Sequence, residues 1–369
     1  MLLYILSSAV VLQGDQEVSS RVYVCHTFYH VYIACLKEFY RGSDGDADLI
    51  LSRMSNRFGS MVERAKECPV FKNVYEYDEK RPEFFPELEE LKTDTGNIVS
   101  NMKNRIRFCK AFGKCQEKFV PVDFKQYKDI YVFCDSDPIG YYLNYKKIRY
   151  HALEDGLDCI RYYDTARYDN RGHFKIKAAM AALGLIHIQN GYGKYCIDME
   201  VNDISVLEYP CKKYVELPRT KLTDALTQQQ KDIMLKLFIE NLDELKERLD
   251  KRAGAKTMLI LSEPLCSLDV REKIFRDIIA QYGEGYLIMI KQHPRDELDY
   301  RKLFSDCILL DGTFPMEMLN FIEGLSFDRV VSVYTVVDSI KFAKEKIFLG
   351  DDFMDIYEAP EIHRQNEFI

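Results

Sequence analysis

The sequence of 369 residues contains no tryptophan, no CxxC pair and no apolar run long enough to form a membrane-spanning helix. Such a helix needs about 18–20 consecutive apolar residues, so we expect membrane association to be peripheral. The net charge of -8 argues against a nucleic-acid-binding protein, which would carry a basic surface. The 11 cysteines are odd in number and scattered through apolar segments, which is typical of reduced core cysteines in a cytosolic protein.

The amino terminus lacks the features of a secretory signal. Residues Met1–Leu12 are apolar, but no basic residue precedes them, and the first charged residue is Asp15. We therefore interpret residues 1–20 as a leader or an extra strand. A cytoplasmic location follows, with the inner face of the cell membrane as the place of any peripheral contact.

Two domains are expected from the length of the chain, because single hydrophobic cores usually stop growing at about 250–300 residues. The short segment Lys251–Ala255, KRAGA, follows a long amphipathic stretch and predicts the boundary. We assign residues 21–250 to an N-terminal domain and residues 255–369 to a C-terminal domain.

No glycine-rich GxGxxG turn follows the first predicted strand, yet strands and helices alternate along the N-terminal domain. The predicted strands are Arg21–His26, Asp48–Leu51, Asn73–Tyr77, Asp129–Cys134, Ile148–Gly156 and a strand pair within Tyr195–Leu207. The predicted helices are Phe28–Phe39, Met61–Glu67, one or two within Pro86–Phe119, Lys175–Leu183 and Thr227–Leu249. This alternation predicts an α/β fold with a mostly parallel sheet.

The C-terminal domain repeats the alternation. Its predicted strands are Thr257–Leu261, Tyr286–Ile290, Cys307–Leu310, Arg329–Val333 and Lys346–Leu349. Its predicted helices are Val270–Tyr282, one that opens at Pro315, and Val336–Lys344. We therefore predict two Rossmann-like domains that face each other across a cleft.

A polar cluster follows the central strand of the C-terminal domain. The apolar run Tyr286–Ile290 stops at Lys291, Gln292, His293 and Pro294, with Arg295 next. Ligands of open α/β sheets bind outside the carboxyl ends of the strands. His293, fixed by the following proline, is therefore placed to contact a ligand, although a loop histidine before a turn-forming proline is the simpler interpretation.

Polar residues also end the neighbouring strands. Gly312 and Thr313 follow one strand, Glu317 lies in the first turn after Pro315, and Ser332 and Thr335 end the next strand. A carboxylate in that position can accept both hydroxyls of a ribose, and the two hydroxyl residues can contact phosphate oxygens. Together with His293, these residues predict one pocket for a phosphate and a ribose.

Four short motifs stand out along the chain: EDG at Glu154–Gly156, KQHP at Lys291–Pro294, PMEML at Pro315–Leu319 and SVYT at Ser332–Thr335. In this order they resemble the motifs of bacterial sialyltransferases with the GT-B fold, most nearly glycosyltransferase family 52, which includes lipooligosaccharide and capsule sialyltransferases. The resemblance covers roughly residues 21 to 349. SVYT departs from the family by separating its hydroxyl residues.

The resemblance implies transfer of sialic acid from CMP-sialic acid to a sugar hydroxyl, with inversion at the anomeric carbon. His293 matches the family's HP motif and would assist departure of the CMP phosphate. The EDG motif nominates Asp155 as the base, with Glu154 and Gly156 beside it. Asp269, at a predicted helix start, is a rival for the base. No metal and no other cofactor are expected.

The expected partners are CMP-sialic acid and a glycan acceptor, with no nucleic acid, and a homodimer remains open. Three alternatives also remain. A related GT-B enzyme would use a UDP-hexose donor, and a non-catalytic relative would only bind a sugar nucleotide. Asp135 and Asp137 after a buried strand are the pattern in which metal-dependent GT-A transferases hold a divalent ion, although a turn before Pro138 is the better explanation of them.

Overall fold

The structure is a computed structural model that describes residues 19–42, 45–55, 57–133, 135, 137–161, 172–250, 254–335, 337 and 340–363. Nearly all of the predicted leader, residues 1–20, lies outside these ranges. The described chain forms two parallel β-sheets with helices packed on them, which we call the first unit and the second unit. The predicted α/β architecture with two Rossmann-like units is confirmed.

The first unit contains a seven-stranded sheet in the order β3-β2-β1-β4-β5-β6-β7, and every neighbouring pair is parallel. Its strands are β1 Arg21–Cys25, β2 Ala47–Ser52, β3 Asn73–Tyr77, β4 Asp129–Phe133, β5 Tyr150–Leu153, β6 Cys196–Val201 and β7 Tyr214–Glu216. The central strands are apolar and buried because helices cover both faces of a parallel sheet.

The helices that accompany this sheet begin and end with local signals. Thr27 caps the first helix by accepting a hydrogen bond from the His30 amide, and Gly42 ends it with φ of 68°. The α-helices are α1 Phe28–Arg41, α2 Met61–Glu67, α3 Ile98–Cys115, α4 Pro138–Lys146, α5 Phe174–Ala182, α6 Arg219–Asp224, α7 Gln228–Phe238 and α8 Leu242–Asp250. Short 3-10 turns occupy Pro82–Phe84, Pro86–Leu91, Gln116–Lys118, Phe124–Gln126 and Leu157–Cys159.

The second unit contains a five-stranded parallel sheet in the order β10-β9-β8-β11-β12. Its strands are β8 Thr257–Leu261, β9 Leu287–Lys291, β10 Ile308–Leu310, β11 Phe327–Ser332 and β12 Ala343–Phe348. Its helices are α9 Leu268–Tyr282, α10 Tyr300–Leu303, α11 Gly350–Met354, α12 Pro360–His363 and the 3-10 helix Met316–Phe321. This is the strand order of the first five strands of the first unit. Strand order reverses beside β1 and beside β8, where doubly wound folds bind ligands.

One hydrophobic core joins the two units. It contains residues of α1, α7, the 3-10 helix Met316–Phe321 and β11. Within it, the ring centroids of Tyr32 and Phe321 lie 6.4 Å apart. This packing sets the carboxyl ends of the two sheets opposite each other. The predicted boundary at Lys251–Ala255 falls between the two sheets but remains a prediction, since residues 251–253 lie outside the described part.

Two predicted helices differ in the structure. Thr227–Leu249 is divided into α7 and α8, because Ile239 is extended, with φ of -109° and ψ of 108°, and is buried. The helix predicted to open at Pro315 is a 3-10 helix. The apolar spacing identifies both segments correctly, but local periodicity does not report where the backbone leaves α-helical geometry to let a side chain pack.

Two predictions of strand and helix are wrong. The stretch Tyr195–Leu207 contains only β6, and its neighbour β7 comes from Tyr214–Glu216. The helix predicted over Val336–Lys344 does not form in its described carboxyl-terminal part, since Ala343 and Lys344 begin β12, which pairs with β11; Val336, Asp338 and Ser339 lie outside the described residues. Val337, Ile340 and Phe342 are buried in the hydrophobic core. Their spacing suits a helix as well as a buried turn leading into a strand, and tertiary pairing decides between the two.

Candidate active site

A cavity of about 470 Å³ lies between the carboxyl ends of the two sheets, and we call it the central cleft. The first unit lines it with Thr27, Phe28, Tyr29, Ser55 and Asp155, and the second unit with residues that include Ser262, Lys291, Gln292, His293, Pro294, Arg295, Glu317 and Thr335. A larger surface cavity, about 750 Å³, lies between α3 and α5 and contains none of the predicted site residues. The central cleft is therefore where the predicted residues of both units meet.

His293 stands at the end of β9 and is half-buried. Its Nδ1 accepts a hydrogen bond from the Arg295 amide over 3.1 Å, which assigns the proton of the neutral ring to Nε2. Burial, together with the cations Arg295 and Lys291, lowers the pKa of His293 to about 4. Before a donor binds, the ring is therefore a neutral hydrogen-bond donor, and an arriving phosphate would raise its pKa.

A buried network that sequence analysis missed fixes the loop of His293. Ser262 Oγ accepts from the His293 amide at 3.0 Å and donates to Asp296 at 2.7 Å. Asp296 also accepts from Arg271 at 2.7 Å, from Tyr300 at 2.6 Å and from the Leu298 amide at 3.1 Å. Both oxygens of this carboxylate accept two hydrogen bonds, so the loop is held without an unpaired buried charge.

Lys291 lies on the floor of the cleft and is almost fully buried. Its Nζ donates to the backbone carbonyl oxygens of Gln292, at 3.1 Å, and Asp311, at 2.6 Å, and lies 4.1 Å from the centroid of the Phe314 ring. Burial lowers the pKa of Lys291 to about 7, against the attraction of Asp311 and Glu317. A negatively charged ligand in the cleft would raise the pKa of Lys291 and restore the full charge of its ammonium group.

Glu317 reaches the cleft from the start of the 3-10 helix. Burial raises the pKa of its carboxyl, and Lys291 opposes this effect. Tyr29 and Tyr32 of α1 lie close enough for the charge of Glu317 to raise the pKa of both phenols, although burial is the larger cause. The carboxylate thus stands at the junction of the two units, beside the cation of the cleft floor.

The predicted phosphate contacts at the end of β11 are only partly available. Ser332 is fully buried, and its hydroxyl donates to the Thr335 carbonyl oxygen at 2.7 Å. The amides of Tyr334 and Thr335 donate to Glu263 at 2.8–3.0 Å, so a carboxylate of the protein occupies the backbone site predicted for phosphate. Among the described residues no helix begins at this point. Thr335 lines the cleft, and Ser332 supports the turn behind it.

Gly312 and Thr313 line a neighbouring cavity of about 480 Å³, which shares His293 and Arg295 with the central cleft. A Cβ atom on Gly312 would lie 3.2 Å from the carbonyl oxygens of Gln292 and His293. Glycine therefore favours the close approach of the two loops, because a side chain here would push the neighbouring loop away by a few tenths of an ångström. The Thr313 amide donates to Asp311 at 3.0 Å, which fixes the turn.

Asp155 faces the cleft from the loop after β5, with 42% of its side chain exposed. Its Oδ1 contacts Nε2 of His30, a residue of the first turn of α1. The His30 ring is buried and stacks on Phe133, with centroids 3.8 Å apart and planes 1° apart. A buried imidazole thus supports the exposed carboxylate from behind.

A second buried histidine lies next to this pair. His26 Nε2 and Glu79 Oε2 are 2.6 Å apart, and His26 Nδ1 lies 3.3 Å from Asp137 Oδ2. Burial alone would lower the pKa of His26, but Asp137 and Glu79 raise it to about 9. The sequence analysis overlooked both histidines. The available signal was their spacing of four residues directly after β1, at a strand end like those that carry the predicted site of the second unit.

The remaining candidates for the base lie apart from the cleft lining. Glu154 is buried, and its carboxylate accepts a hydrogen bond from the Asn202 amide at 2.6 Å. Unlike Asp155, it does not line the central cleft. Gly156 adopts φ of 116°, which turns the loop after Asp155. Asp269 is exposed in the first turn of α9 and is absent from the residues that line the cleft. Of the nominated bases, only Asp155 shares a cavity with His293.

Asp135 and Asp137 do not point to a common ligand. Asp135 is fully buried, and its carboxylate accepts from the Tyr150 hydroxyl at 2.6 Å and from the Asn190 amide, while burial raises its pKa to about 7. Asp137 faces His26 instead, and burial raises its pKa to about 6. Within the described ranges, no group of three or more histidine, cysteine or acidic side chains could hold a metal ion.

Two Rossmann-like units with a ligand cleft between their carboxyl edges define the class of this protein: it has the GT-B architecture. The family model of glycosyltransferase family 52 matches residues 77–347, and the chain belongs to that family. Its family is therefore one of glycosyltransferases.

Known proteins resemble the chain to different degrees. A solved α/β-galactoside α-2,3-sialyltransferase from Photobacterium phosphoreum has a TM-score of 0.52 and 13% identity, covering 90% of this chain and 91% of that one. This likeness shows the fold. A UDP-GlcNAc 2-epimerase from Neisseria meningitidis has a TM-score of 0.43 and 12% identity over 94% of this chain and 92% of that one. An uncharacterised protein of Haemophilus influenzae is 32% identical over 94 residues, which are 24% of this chain and 30% of that relative's length.

In the part of the chain that the structure describes, no helix combines the length and apolarity that crossing a bilayer requires.

Proposed function

We propose that this glycosyltransferase is an inverting sialyltransferase, which moves sialic acid from CMP-sialic acid to a hydroxyl of a surface glycan of lipooligosaccharide or capsule type. The observation that supports it most is the meeting of Asp155 from the first unit and His293 from the second in one cleft. The Photobacterium protein, whose structure resembles this one over most of both chains, is a sialyltransferase, and this agrees with the proposal.

On the acceptor side, Asp155 takes the proton of the attacking hydroxyl. The acceptor oxygen forms a bond to the anomeric carbon as the bond from that carbon to the phosphate oxygen breaks, and the configuration inverts. The exposed position of the Asp155 carboxylate at the cleft wall allows a sugar hydroxyl to approach it. A positioned general base of this kind contributes about 10²–10⁴ in rate.

On the donor side, negative charge develops on the departing CMP phosphate. The Nε2–H of His293 donates a hydrogen bond to this phosphate. The phosphate also raises the pKa of the ring from about 4, so the ring is protonated more readily. Lys291 beneath the cleft gains charge in the same way. Glu317 accepts hydrogen bonds from the ribose hydroxyls, and Thr335 lines the cleft in which the phosphate binds.

The proposed reaction is independent of metal ions, because protein cations and hydrogen-bond donors meet the phosphate. A glycolipid acceptor would bring the enzyme to the inner face of the cell membrane by peripheral contact. Transfer to defined acceptors identifies the acceptor sugar and the linkage.

The deciding experiment incubates the purified protein with CMP-sialic acid and a panel of oligosaccharide acceptors, and detects sialylated product by mass spectrometry. A thermal-shift series with CMP, CDP, UDP and GDP accompanies it, since a ligand that binds only the folded state raises the melting temperature. We expect transfer, and the largest shift with CMP.

Two other results would redirect the proposal. A shift with UDP alone, followed by transfer from a UDP-hexose, would assign a different donor to the same cleft. The protein with intact Asp155 and His293 side chains could instead bind nucleotide but neither transfer sugar nor hydrolyse the donor. That result would support a non-catalytic sugar-nucleotide-binding protein.

A further inference from the structure

We propose that His30 is a positioning residue for Asp155. In this His30–Asp155 dyad the carboxylate accepts the proton of the substrate, and the imidazole is a fixed hydrogen-bond donor behind it. In serine hydrolases the imidazole is the base and the carboxylate orients it. The inference rests on the proposed function, in which Asp155 is the base.

The direction of the dyad follows from the hydrogen bonds of the His30 ring. The His26 amide donates to Nδ1 of His30 over 3.0 Å, so Nδ1 must present its lone pair. Burial lowers the pKa of His30, although Asp155 opposes this effect, and the ring is neutral at pH 7. Its proton therefore resides on Nε2, the atom that contacts Asp155. A backbone amide cannot release its proton, so the ring orients the carboxylate and does not relay protons further.

Packing fixes the ring in this place. His30 lies parallel to Phe133, and its own amide donates to Thr27 Oγ1 at 3.2 Å in the capped first turn of α1. The His30 side chain is 2% exposed, whereas that of Asp155 is 42% exposed. His30 is also absent from the residues that line the central cleft. Only the carboxylate can therefore meet an acceptor hydroxyl.

The hydrogen bond from His30 restricts the conformation of the Asp155 side chain, which lies in a loop. Asp155 follows the last residue of β5 by two positions and precedes Gly156, whose φ of 116° makes the loop turn sharply. A free carboxylate in that loop would sample several rotamers. The donor behind Oδ1 selects one and so fixes the carboxylate at the wall of the cleft that Asp155 lines.

Other charged groups face the dyad and bear on any pH profile. His26 approaches His30 from the end of β1 and is charged between Glu79 and Asp137, and both Asp155 and Arg81 act on this cluster. Burial raises the pKa of Asp137 to about 6, inside the range in which the enzyme would be assayed. An Asp137→Asn variant is therefore measured beside every His30 variant, so that its titration is not attributed to Asp155.

The test compares His30→Phe with His30→Gln. Phenylalanine keeps the packing on Phe133 but cannot donate, and we expect kcat to fall about 10–100-fold with an unchanged KM for the donor. An unchanged KM together with a lower kcat is the result expected when only the position of the Asp155 carboxylate is lost. Glutamine retains an N–H donor and should recover most of the rate. Equal inactivity of both variants would make His30 the base and overturn the proposal.

His151 provides a matched control. Like His30, His151 contacts a carboxylate, that of Asp198 at 2.7 Å on the neighbouring strand. His151 is partly buried and is absent from the cleft lining. His151→Gln should leave kcat near that of the wild type. A kcat that fell as far as in His30→Phe would indicate a general effect of destabilising the first unit and would overturn the specific role of His30. CMP binding by each variant reports whether the cleft is folded.

A spectroscopic readout needs no turnover. In ¹⁵N-histidine NMR spectra, His30 should show the Nε2-protonated neutral tautomer at pH 7, and its Nε2 signal should shift in Asp155→Asn. An Nδ1-protonated tautomer, or an imidazolium, would overturn the dyad. If the wild-type protein transferred no sialic acid but gave the expected spectrum, the proposed function would fail while the direction of the dyad would stand.

Discussion

Arg271 and Asp296 form a buried ion pair, with 2.7 Å between Nη1 and Oδ1, and their side chains are 7% and 0% exposed. Arg271 also donates to the carbonyl oxygens of Leu265, at 2.6 Å, and Cys266, at 3.0 Å. The same carboxylate holds Ser262, which holds the His293 amide. The ion pair therefore ties the loop after β8 to the loop after β9, and it fixes the position of the proposed acid.

Removal of Asp296 should destabilise the protein and loosen His293. Asp296→Ala leaves Arg271 as a buried charge without its carboxylate, and such a loss costs about 3–5 kcal/mol in the free energy of unfolding. Urea denaturation measures this change, and calorimetry should show weaker CMP binding. The control is Asp306→Ala, at an exposed position, which should change stability by less than about 0.5 kcal/mol. Equal stability of the two variants would contradict the structural role of the pair.

CMP binding should take up a proton at pH 8. Lys291, with a pKa of about 7, is mostly neutral there, while the CMP phosphate is fully ionised, with a second pKa of about 6. The bound phosphate should raise the pKa of Lys291, so affinity is highest between about pH 6 and pH 7 and falls as pH rises above 7. Calorimetry in Tris and in phosphate-free HEPES separates the proton uptake from the heat of binding.

The proton uptake should disappear in Lys291→Met, whose side chain fills the same volume without a titratable group. Lys302→Met, on the exposed surface of α10, is the matched control and should behave as wild type. Uptake that persists in Lys291→Met would assign the proton to His293 or another group.

Glu317 should contribute to CMP affinity through the ribose. Glu317→Ala removes hydrogen bonds to a charged acceptor, which are worth about 1.5–3 kcal/mol, and CMP affinity should fall about 10–100-fold. A CMP analogue without the 2′- and 3′-hydroxyls should bind the wild type and this variant equally. Glu323→Ala, at an exposed position after the same 3-10 helix, should not affect binding. An unchanged affinity of Glu317→Ala for CMP would remove Glu317 from the donor site.

Transfer activity should persist in EDTA. The phosphate is met by Lys291, His293 and Thr335 in the proposed mechanism, and Asp135 is committed to Tyr150 and Asn190. Activity is measured after dialysis against chelator and again after addition of Mg²⁺ or Mn²⁺. Loss in EDTA with recovery in Mn²⁺ would return Asp135 and Asp137 to the centre of the mechanism, as in metal-dependent transferases.

The acid and base roles should separate with a modified donor. Asp155→Ala and His293→Ala should each lower kcat by about 10²–10⁴. A sialyl donor with a phenolic leaving group of low pKa needs little help to depart, so it should restore much of the rate in His293→Ala only. Asp269→Ala should remain near wild type, because Asp269 is exposed and does not line the cleft. A near-normal rate in Asp155→Ala with a collapsed rate in Asp269→Ala would reverse the assignment.

Much of the fold was accessible from the sequence. Buried parallel strands are short apolar runs bounded by polar residues, and β3, α2 and β8 have the predicted bounds. Because ligands meet open α/β sheets at the carboxyl ends of strands, His293 could be nominated from the residues that follow β9, whereas Asp155 was nominated from the EDG motif of the family resemblance. Apolar periodicity and strand ends are local properties, and a single sequence displays them directly.

Tertiary structure decided which of the nominated residues share a site. His30 and Asp155 are 125 positions apart, and Ser262 meets the His293 amide from 31 positions away. Ser332 and Glu154 end strands as predicted, yet their side chains form hydrogen bonds with backbone groups of the protein and are buried. Whether a polar side chain at a strand end points into a cleft or into a neighbouring loop depends on the partner brought beside it by chain folding. That pairing of distant segments leaves no periodic signal in the local sequence.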